Sequence, residues 1–278
     1  MQKRKILNLT GKLCLIVILL VLCFTIALPF IWMLSSSLKG DYDVFTFPIE
    51  WIPKQPKWEN YVTIWTKFHL FGYLKNSVKL SVIVTLIQLF TSSFAAYAFA
   101  KIPFKGRNVL FLMYVATIAV PWQAYMVPQY MMLTKFGMVN SHLSLIVMHA
   151  FNVFGVFLLR QTMIGIPDEL FEAGRIDGLN EYGLYFRIAL PLSKTGLATL
   201  TIFTFVNEWN DFTGPLLYLT DDRLKTLQLG LRQFIQQYGS YYAQLMAASI
   251  VALIPVLIVF VLMQKHFIAS VATSGLKG

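Results

Sequence analysis

Charged residues and cysteine are scarce in this chain of 278 residues. Only 13% of the residues are charged and two are cysteines, whereas 57% are hydrophobic. Such a composition excludes an ordinary soluble domain, and the spacing of the apolar runs is typical of a polytopic membrane protein. Cys14 and Cys23 lie nine residues apart on one predicted helix. That spacing is roughly 13 Å along the axis, too far for a disulfide.

Sequence signatures of catalysis and metal binding are also missing. There is no G-x-x-x-x-G-K-[ST] phosphate loop, no H-E-x-x-H motif and no nucleophile elbow, and the four histidines are scattered. We therefore predict no catalytic residues, no metal site and no cofactor bound by this chain. A membrane-embedded enzyme has no support. If ATP drives this protein, another polypeptide must hold the nucleotide.

Six apolar segments are long enough to cross a bilayer. We predict an all-α, multi-pass protein of the cytoplasmic membrane, embedded in the lipid bilayer as a single transmembrane domain over residues 1–278. The predicted spans cover residues 13–34, 76–100, 109–133, 143–162, 196–219 and 243–267.

Proline and polar residues interrupt this apolar pattern. Pro121 and Pro128 fall in the third predicted span, where a kink without function is favoured over a transport role. His149 and Asn152 lie within the fourth span and are interpreted as packing residues rather than ligands. Between the first two spans, prolines exclude one long helix, and WENYVTIW (58–65) predicts a short external helix.

The basic residues indicate how the spans are oriented. The formal charge of +10 does not indicate nucleic-acid binding, because the basic residues bracket the apolar spans. Six spans that start in the cytoplasm return the C-terminus to the cytoplasm. Thirteen Lys and Arg then lie inside and four lie in the two short outer loops. Six more surround the first outer loop, but long loops weigh less in this rule.

Residues 167–191, here named the acidic hairpin, hold five of the thirteen carboxylates. Their sequence, PDELFEAGRIDGLNEYGLYFRIALP, predicts a helix, a turn and a second helix. Pro167 suits a first helical position, and Gly178 permits the turn. Asn180 suits the cap of the second helix, which Pro191 is expected to close. An ordinary amphipathic surface loop is the structural alternative.

The acidic hairpin also carries an extended motif. Glu-Ala-Gly at 172–174, glycine at 178 and Ile-Ala-Leu-Pro at 188–191 are spaced as in the EAA loop of binding-protein-dependent ABC importer permeases. The single departure is Gly174 in place of the second alanine. This resemblance implies the type I ABC importer permease fold, with coupling helices that dock in a separate cytoplasmic ATPase. The residues assigned to ATPase coupling are Glu172, Ala173, Gly174, Asp177, Gly178, Ile188, Leu190 and Pro191.

A polar cluster, Asn207-Glu208-Trp209-Asn210-Asp211, interrupts the fifth predicted span. A central aspartate costs roughly 2.5–3.5 kcal/mol on insertion scales, so we expect the cluster to face the bundle interior or a wet cavity. Asn207 and Asp211 are four residues apart and are predicted to share a helix face. Amides, carboxylates and tryptophan suit a sugar. We assign Asn207, Trp209, Asn210 and Asp211 to a substrate pathway. Hydrogen bonding to a partner subunit and a helix break are the alternatives.

A second resemblance narrows the cargo. FVNEWNDFTGPLLYL (205–219), with FLLRQ before the acidic hairpin and LPLSK after it, is similar to carbohydrate ABC permeases, the group of the second permease of maltose-type importers. This resemblance implies a heterodimer with a second permease, two cytoplasmic ATPase subunits that bind ATP and Mg, and an extracytoplasmic sugar-binding protein. It also implies that the loop 220–242 enters the binding protein. Tyr238, Tyr241 and Tyr242 are the predicted contacts.

Two other functions remain open for the sequence. One is the same importer class with a non-sugar cargo. The other is an ion-coupled secondary transporter that uses Glu208 and Asp211, although the paired internal repeats of such folds are not seen. The leading interpretation is a transmembrane subunit that moves a sugar or oligosaccharide across the cytoplasmic membrane.

Overall fold

Helices form most of the chain. The structure, a computed structural model, describes residues 2–236 and 239–274, and side chains at 11–235 and 241–265. The described residues form two compact units, one within 1–70 and 231–251, the other within 71–230 and 252–278. The helices are α1 Gln2–Ser37, α2 Glu59–Thr66, α3 Leu70–Lys101, α4 Arg107–Ala116, α5 Trp122–Lys135, α6 His142–Met148, α7 Val153–Ile164, α8 Asp168–Ile176, α9 Glu181–Leu184, α10 Leu190–Leu192, α11 Lys194–Trp209, α12 Thr213–Tyr218, α13 Leu227–Leu231 and α14 Tyr242–Ser274.

The predicted all-α architecture has one small exception in the described chain. Two-residue strands β1 Ile235–Gln236 and β2 Gly239–Ser240 pair antiparallel, with Ile235 opposite Ser240 and Gln236 opposite Gly239. A ladder this short closes a turn and adds no sheet layer, so the fold class remains all-helical.

Three helices are each long and apolar enough to cross a membrane. They are Gly11–Ser37, Leu70–Lys101 and Tyr242–Lys265. Three bent helix pairs also qualify when each pair is taken as one span: Arg107–Ala119 with Trp122–Lys135, His142–Met148 with Val153–Ile164, and Glu181–Leu192 with Lys194–Trp209. The described chain thus holds three to six candidate spans, and the count of six stays a prediction.

The second span starts earlier than its predicted boundary at residue 76. Helix α3 begins at Leu70, within what the sequence analysis treated as polar connecting chain. Leu70 is fully buried and Tyr73 is nearly so. Packing of these two side chains therefore extends the helix past the polar residues that suggested a loop.

Pro121 divides the predicted third span. Helices α4 and α5 meet at 96°, and Pro121 precedes α5 in an extended conformation (φ −67°, ψ 140°). A proline disfavours helical backbone in the residue before it, and Val120 is accordingly extended. Pro128, by contrast, lies inside α5 without ending it. The expected interruption is confirmed at the first proline only.

His149 and Asn152 lie within the predicted fourth span, but between its two helical segments and not inside one continuous helix. They flank a break at which α6 and α7 meet at 44°. His149 ends α6, and Asn152 caps α7 by accepting a hydrogen bond from the Gly155 N–H at 3.0 Å. Asparagine is a strong helix cap, and this preference divides an otherwise apolar run.

The fifth predicted span also ends early. Helix α11 stops at Trp209, and Asp211 lies in the connection to α12. The carboxylate of Asp211 accepts a hydrogen bond from the Gly214 N–H at 3.1 Å. The prediction that Asn207 and Asp211 share a helix face was therefore wrong, because α11 ends before Asp211, whose side chain bonds instead to the first turn of α12.

An apolar core in the second unit joins the acidic hairpin to the candidate spans. Ala96 of α3, Leu159 of α7 and Leu200 of α11 are fully buried, and the hairpin contributes Phe171 and Leu184 to the same cluster. Because three long elements share this core with both arms of the hairpin, the hairpin is packed as part of the helix bundle.

The first unit contains the predicted short helix at residues 58–65. Helix α2 covers Glu59–Thr66, and the buried Asn60 amide donates to the carbonyls of Ser37 and Lys39, each at 2.8 Å. These two bonds tie α2 to the end of α1. The helix is confirmed, whereas its external location stays a prediction.

Candidate functional site

The first arm and the turn of the acidic hairpin follow the local sequence signals closely. Helix α8 starts at Asp168, so Pro167 is the residue before the helix and not its first member, one position from the prediction. Gly178 has φ +83°, which confirms it as the turn. Asn180 caps α9 by accepting the Gly183 N–H at 2.9 Å, as predicted.

The second arm runs farther than predicted. After α9 the chain widens into a π-helical turn, Tyr185–Ala189, and continues as α10 to Leu192. The helix ends at Leu192, one residue after the predicted stop at Pro191. The wide turn changes the hydrogen-bond register just before the proline, so the missing N–H is accommodated without ending the helix. A bend of 76° then separates residues 181–192 from α11.

Lys101 at the end of α3 holds the start of α8. Its Nζ lies 2.5 Å from the Asp168 carboxylate, 2.6 Å from the Ile166 carbonyl and 4.8 Å from the centre of the Phe171 ring. The hydrogen bond from Lys101 lowers the pKa of Asp168 below its usual value. One lysine therefore satisfies a carboxylate, a carbonyl and an aromatic face at the entry to the hairpin.

Glu181 connects both arms of the hairpin to α3. Its carboxylate accepts the Tyr97 hydroxyl at 2.6 Å and pairs with the Arg175 guanidinium at 3.1 Å. Tyr97 is buried on α3, and Arg175 lies on α8. This carboxylate therefore fixes the first arm, the second arm and a long helix relative to one another.

The packing around Gly174 explains why this position holds glycine where the EAA motif has its second alanine. A Cβ at Gly174 would lie 2.7 Å from Cδ2 of Leu184 and 2.9 Å from Cδ1 of Ile188. Both distances are too short for carbon atoms. The two arms therefore approach each other at a point where only glycine fits without repacking.

The coupling residues predicted from the motif divide into two faces. Gly174 is buried, and Ile188 and Leu190 are half-buried against the rest of the hairpin and the core. The others are exposed: Glu172, Ala173, Asp177, Gly178 and Pro191. Ile176 beside them is 87% exposed. The outer face of α8 thus combines carboxylates with a protruding aliphatic side chain.

A polar cavity of about 380 Å³ lies elsewhere in the same unit. Its lining brings together ends and breaks of several helices. The polar side chains in the lining are Gln88, Gln129, His149, Asn152, Asn207 and Glu208, and the aromatic ones are Trp122, Tyr125, Phe151 and Phe154. Amides and aromatic rings around one cavity are typical of a small-molecule site.

Gln88 holds the wall of this cavity together. Its amide nitrogen donates to the His149 carbonyl at 2.6 Å, and its oxygen accepts from Asn152 at 2.6 Å and from Thr204 at 3.0 Å. Gln88 is buried on α3. These bonds satisfy the backbone freed by the break between α6 and α7 and link that break to α11.

His149 and Glu208 form a close hydrogen-bonded pair in the same wall. Nδ1 of His149 lies 2.7 Å from Oε2 of Glu208, whose side chain is only 7% exposed. Among the described residues, no further hydrogen bond reaches Nε2 of His149 or Oε1 of Glu208. Each partner thus keeps one polar atom for another ligand.

The structure separates the four residues predicted for the substrate pathway. Asn207 lines the cavity. Trp209 is buried and donates to the Ala252 carbonyl at 3.1 Å. Asn210 donates to the Val206 carbonyl at 2.9 Å, and Asp211 caps α12. Only Asn207 of the four lines this cavity, and the helix break that the sequence left as an alternative is present.

Most residues of the cavity lining were not predicted from the sequence. Gln88, Gln129, Trp122 and Tyr125 were not selected. The available signals were weak: isolated amides in apolar runs, and a tryptophan directly after a helix-breaking proline. Gln129 accepts from the Trp122 indole at 2.8 Å and from the Tyr218 hydroxyl at 3.0 Å, so its NH₂ group remains available to the cavity.

The tyrosines predicted to touch a binding protein lie in the first unit. Tyr238 is outside the described residues. Tyr241 accepts a hydrogen bond from Lys67 at 3.0 Å, and its ring centre lies 4.1 Å from the same ammonium. Tyr242 meets the Phe45 ring edge-on at 4.9 Å. Both described tyrosines are half-buried, and their predicted role is untested.

Together, the candidate spans, the packed hairpin and the polar cavity define a helical membrane transport protein. The chain belongs to the family of binding-protein-dependent transport system inner membrane components, whose profile matches residues 88–273. The earlier resemblance to this class of permeases is thereby confirmed.

Several named permease proteins resemble nearly the whole chain. The arabinooligosaccharides transport system permease protein AraQ of Halalkalibacterium halodurans is 33% identical over 260 residues, covering 92% of this chain and 93% of AraQ. The sn-glycerol-3-phosphate transport system permease protein UgpE of Pectobacterium atrosepticum is 31% identical, covering 98% of this chain and 99% of UgpE.

A solved structure shares the fold. A chain of a bacterial ABC transporter involved in the import of the acidic polysaccharide alginate superposes with a TM-score of 0.81 at 21% identity. The match covers 92% of this chain and 96% of that chain. The shared fold agrees with the helical ABC importer architecture expected from the acidic hairpin.

Proposed function

We propose that this chain is one of two transmembrane subunits of an ATP-driven importer that takes a sugar or oligosaccharide from an extracytoplasmic binding protein. It is a single transmembrane domain that crosses the cytoplasmic membrane six times, with both termini in the cytoplasm. A second permease completes a heterodimer, and two cytoplasmic ATPase subunits hold ATP and Mg. Family membership and the sugar-transport name of the AraQ relative support this proposal.

The observation that carries the proposal is the two-faced acidic hairpin. Its inner face is fixed to α3 by Lys101, Tyr97 and the apolar core, and its outer face presents Glu172 and Ile176. A helix that is anchored on one side and bears an 87% exposed isoleucine on the other suits docking. In the proposal, the cleft of the ATPase receives this outer face.

The anchoring also supplies the route for coupling. Force applied to α8 reaches α3 through Lys101 and Glu181, and reaches α7 and α11 through the shared core. Packed cores move as units instead of deforming continuously. ATP-driven closure of the ATPase pair therefore moves these helices with the hairpin, and the pathway opens outward to accept cargo.

The proposal keeps one residue of the predicted substrate pathway and the predicted binding-protein contacts. Asn207 lines the substrate pathway, because its side chain lies at the polar cavity. Trp209, Asn210 and Asp211 are not carried forward as contacts, since their polar groups are engaged in packing and capping. Tyr241 and Tyr242, with Tyr238, remain the proposed contacts with the binding protein.

Site-specific cross-linking tests the docking step. Cys14 and Cys23 are free and exposed, so both are first changed to serine. Ile176→Cys is then introduced into the assembled importer and treated with a short thiol–amine cross-linker. We expect a covalent product with the ATPase subunit, because the Ile176 side chain leads the outer face of α8.

Thr220→Cys serves as the matched control, as an exposed position in a predicted outer loop. It should react with a membrane-impermeant maleimide added from outside, and Ile176→Cys should not. Labelling of Ile176→Cys from outside, or failure to cross-link to the ATPase, would contradict the proposed orientation and docking.

A non-sugar cargo is the second candidate, favoured by the sn-glycerol-3-phosphate transport name of the UgpE relative. Both candidates share the importer mechanism. Membership of a binding-protein-dependent family removes the support for the ion-coupled alternative.

A further inference from the structure

The polar cavity lined by Gln88, His149 and Asn207 carries more polar and aromatic groups than the single pathway residue of the proposed function. It divides into a fixed part and a free part. The side chains of Gln88 and Asn152 are hydrogen-bonded to each other and to backbone groups, so they form the fixed wall of the cavity. Asn207, the second polar atoms of His149 and Glu208, and the Gln129 NH₂ group are left to face the interior.

The free groups match the chemistry of sugar hydroxyls. A hydroxyl both donates and accepts, so it pairs with an amide or a carboxylate oxygen and with an amide or imidazole N–H at once. Asn207 offers both roles, Glu208 accepts, and the Gln129 NH₂ donates. Glu208 is 7% exposed, so a hydrogen bond to its free oxygen forms in a largely desolvated setting.

The aromatic part of the lining supplies the apolar counterpart. Trp122 and Tyr125 lie on the first turns of α5, directly after the break at Pro121. The indole N–H of Trp122 is bonded to Gln129, which fixes the orientation of the ring. A fixed aromatic plane beside hydrogen-bonding groups receives the apolar face of a pyranose or furanose ring at little entropic cost.

The charges of the lining restrict the cargo further. The described lining contains one carboxylate, Glu208, and one imidazole, His149, and no lysine or arginine. Recognition of a phosphate or a uronate carboxylate normally uses arginine or lysine. Glu208 is paired with His149, so the described lining leaves no positive charge for an anionic sugar. The composition of this cavity therefore favours an uncharged ligand.

We propose that the polar cavity is a sugar subsite in which this chain itself contacts the cargo, and that the cargo is an uncharged oligosaccharide. The proposal rests on the importer function proposed above and narrows it. The proposed cargo therefore differs in charge from the cargoes named for two similar proteins, sn-glycerol-3-phosphate and the acidic polysaccharide alginate.

Saturation-transfer NMR on the assembled permease–ATPase complex in nanodiscs, without the binding protein, tests the subsite directly. The probes are three neutral sugars, arabinotriose, maltotriose and diacetylchitobiose, and one anionic sugar, trigalacturonate. In the unmodified complex we expect transfer to at least one neutral sugar and none above background to trigalacturonate.

The decisive variants are two asparagines three residues apart. Asn207→Ala should lower transfer to the bound neutral sugar about fivefold, the loss expected for one hydrogen bond. Asn210→Ala, outside the cavity, should leave transfer unchanged. Trp122→Phe should weaken binding while keeping the complex intact, since an aromatic ring remains.

Three results would overturn the proposal: no transfer to any neutral sugar, full transfer in Asn207→Ala, or equal transfer to trigalacturonate. Failure of the importer function itself would show separately, as ATP hydrolysis that does not respond to added binding protein. A complex with stimulated hydrolysis and full transfer in Asn207→Ala remains an importer, but its sugar is held elsewhere.

Discussion

The acidic hairpin and the polar cavity differ in how far apart along the chain their determinants lie. In the hairpin, Asn180 caps a helix three residues on, and Arg175 pairs with Glu181 six residues on. In the cavity wall, Gln88 bonds with a side chain 116 residues away. Local motifs therefore specify the first region, whereas the second exists only after the helices have packed.

The turn at Gly178 gives the sharpest test of local encoding. Gly178 has φ +83° and open space around the position of a Cβ, so a substitution there strains the backbone alone. Left-handed backbone costs ordinary residues roughly 1–2 kcal/mol, and β-branched residues more. We expect Gly178→Val to re-aim the two arms and abolish binding-protein-stimulated ATP hydrolysis in proteoliposomes.

Gly178→Asn is the matched variant, because asparagine tolerates left-handed backbone. It should keep most of the stimulated hydrolysis while Gly178→Val loses it, with both proteins present in the membrane at equal levels. Normal stimulation in the valine variant would show that the angle between the arms is not what transmits the motion.

Gln88 provides the corresponding test of non-local encoding. Gln88→Leu leaves the Asn152 amide, the Thr204 hydroxyl and the His149 carbonyl without their partner. Unpaired buried polar groups cost about 1–3 kcal/mol each before relaxation. We expect the thermal midpoint of the purified protein to fall by several degrees.

Gln161→Leu is the control for this experiment, since Gln161 is an exposed glutamine on α7. Its midpoint should remain within about a degree of the unchanged protein, as is usual for surface substitutions. Equal midpoints for the two leucine variants would mean that the cavity wall does not depend on Gln88.

This contrast explains which expectations from sequence succeeded. The turn at Gly178 and the cap at Asn180 were predicted, because each depends on backbone preferences of a few consecutive residues. Asp211 was misassigned because two local rules compete at that point. Helical spacing joined it to Asn207, and the capping preference of aspartate, which prevailed, started a new helix.

The cavity was largely beyond sequence reasoning for a physical reason. An amide within an apolar run serves equally well as wall or as ligand, and only the positions of its partners decide between these roles. The Gln88 amide is hydrogen-bonded within the cavity wall, whereas the Asn207 amide lies at the cavity, although both residues occur in apolar segments. The interpretation of Asn152 as a packing residue agrees with its cap and its bond to Gln88.

Gly174 is intermediate between the local turn and the non-local cavity wall. The residues that restrict it, Leu184 and Ile188, lie in the other arm of the hairpin and not in a distant helix. Gly174→Ala places a methyl group 2.7 Å from Cδ2 of Leu184, which must shift, and overpacking of this kind costs about 1–3 kcal/mol. Alanine also gains roughly 0.5–1 kcal/mol in a helix, so we expect the net loss to be smaller than the overpacking cost. Adding Leu184→Val should recover part of the loss, since substitutions in contact are not additive. Thermal unfolding of the single and double variants measures this recovery.

Gly72→Ala on α3 is the control with the opposite sign. A Cβ at Gly72 meets nothing within 4 Å, so alanine should stabilise that helix by roughly 0.5–1 kcal/mol. If both glycine variants shift the midpoint in the same direction, the close approach of the two arms does not explain the motif's departure from alanine.

The smallest effect is expected at Asp168, where the hairpin meets Lys101. The hydrogen bond from Lys101 lowers the pKa of Asp168, so folding favours the carboxylate form. Any stabilisation is therefore fully present above the ordinary aspartate pKa and is lost as the pH falls through the lowered value. The Asp168 side chain is 80% exposed, although that of Lys101 is only 5% exposed, so solvent around the carboxylate screens the pair. We expect the thermal midpoint of Asp168→Asn to lie slightly below that of the unchanged protein at neutral pH. The two midpoints should converge in acid, where Asp168 is protonated.

A difference that is constant with pH would show that the asparagine acts through α8 capping and not through the charge. A large difference at neutral pH would place the main anchor of the hairpin at the Asp168–Lys101 pair instead of at Tyr97, Glu181 and the buried core.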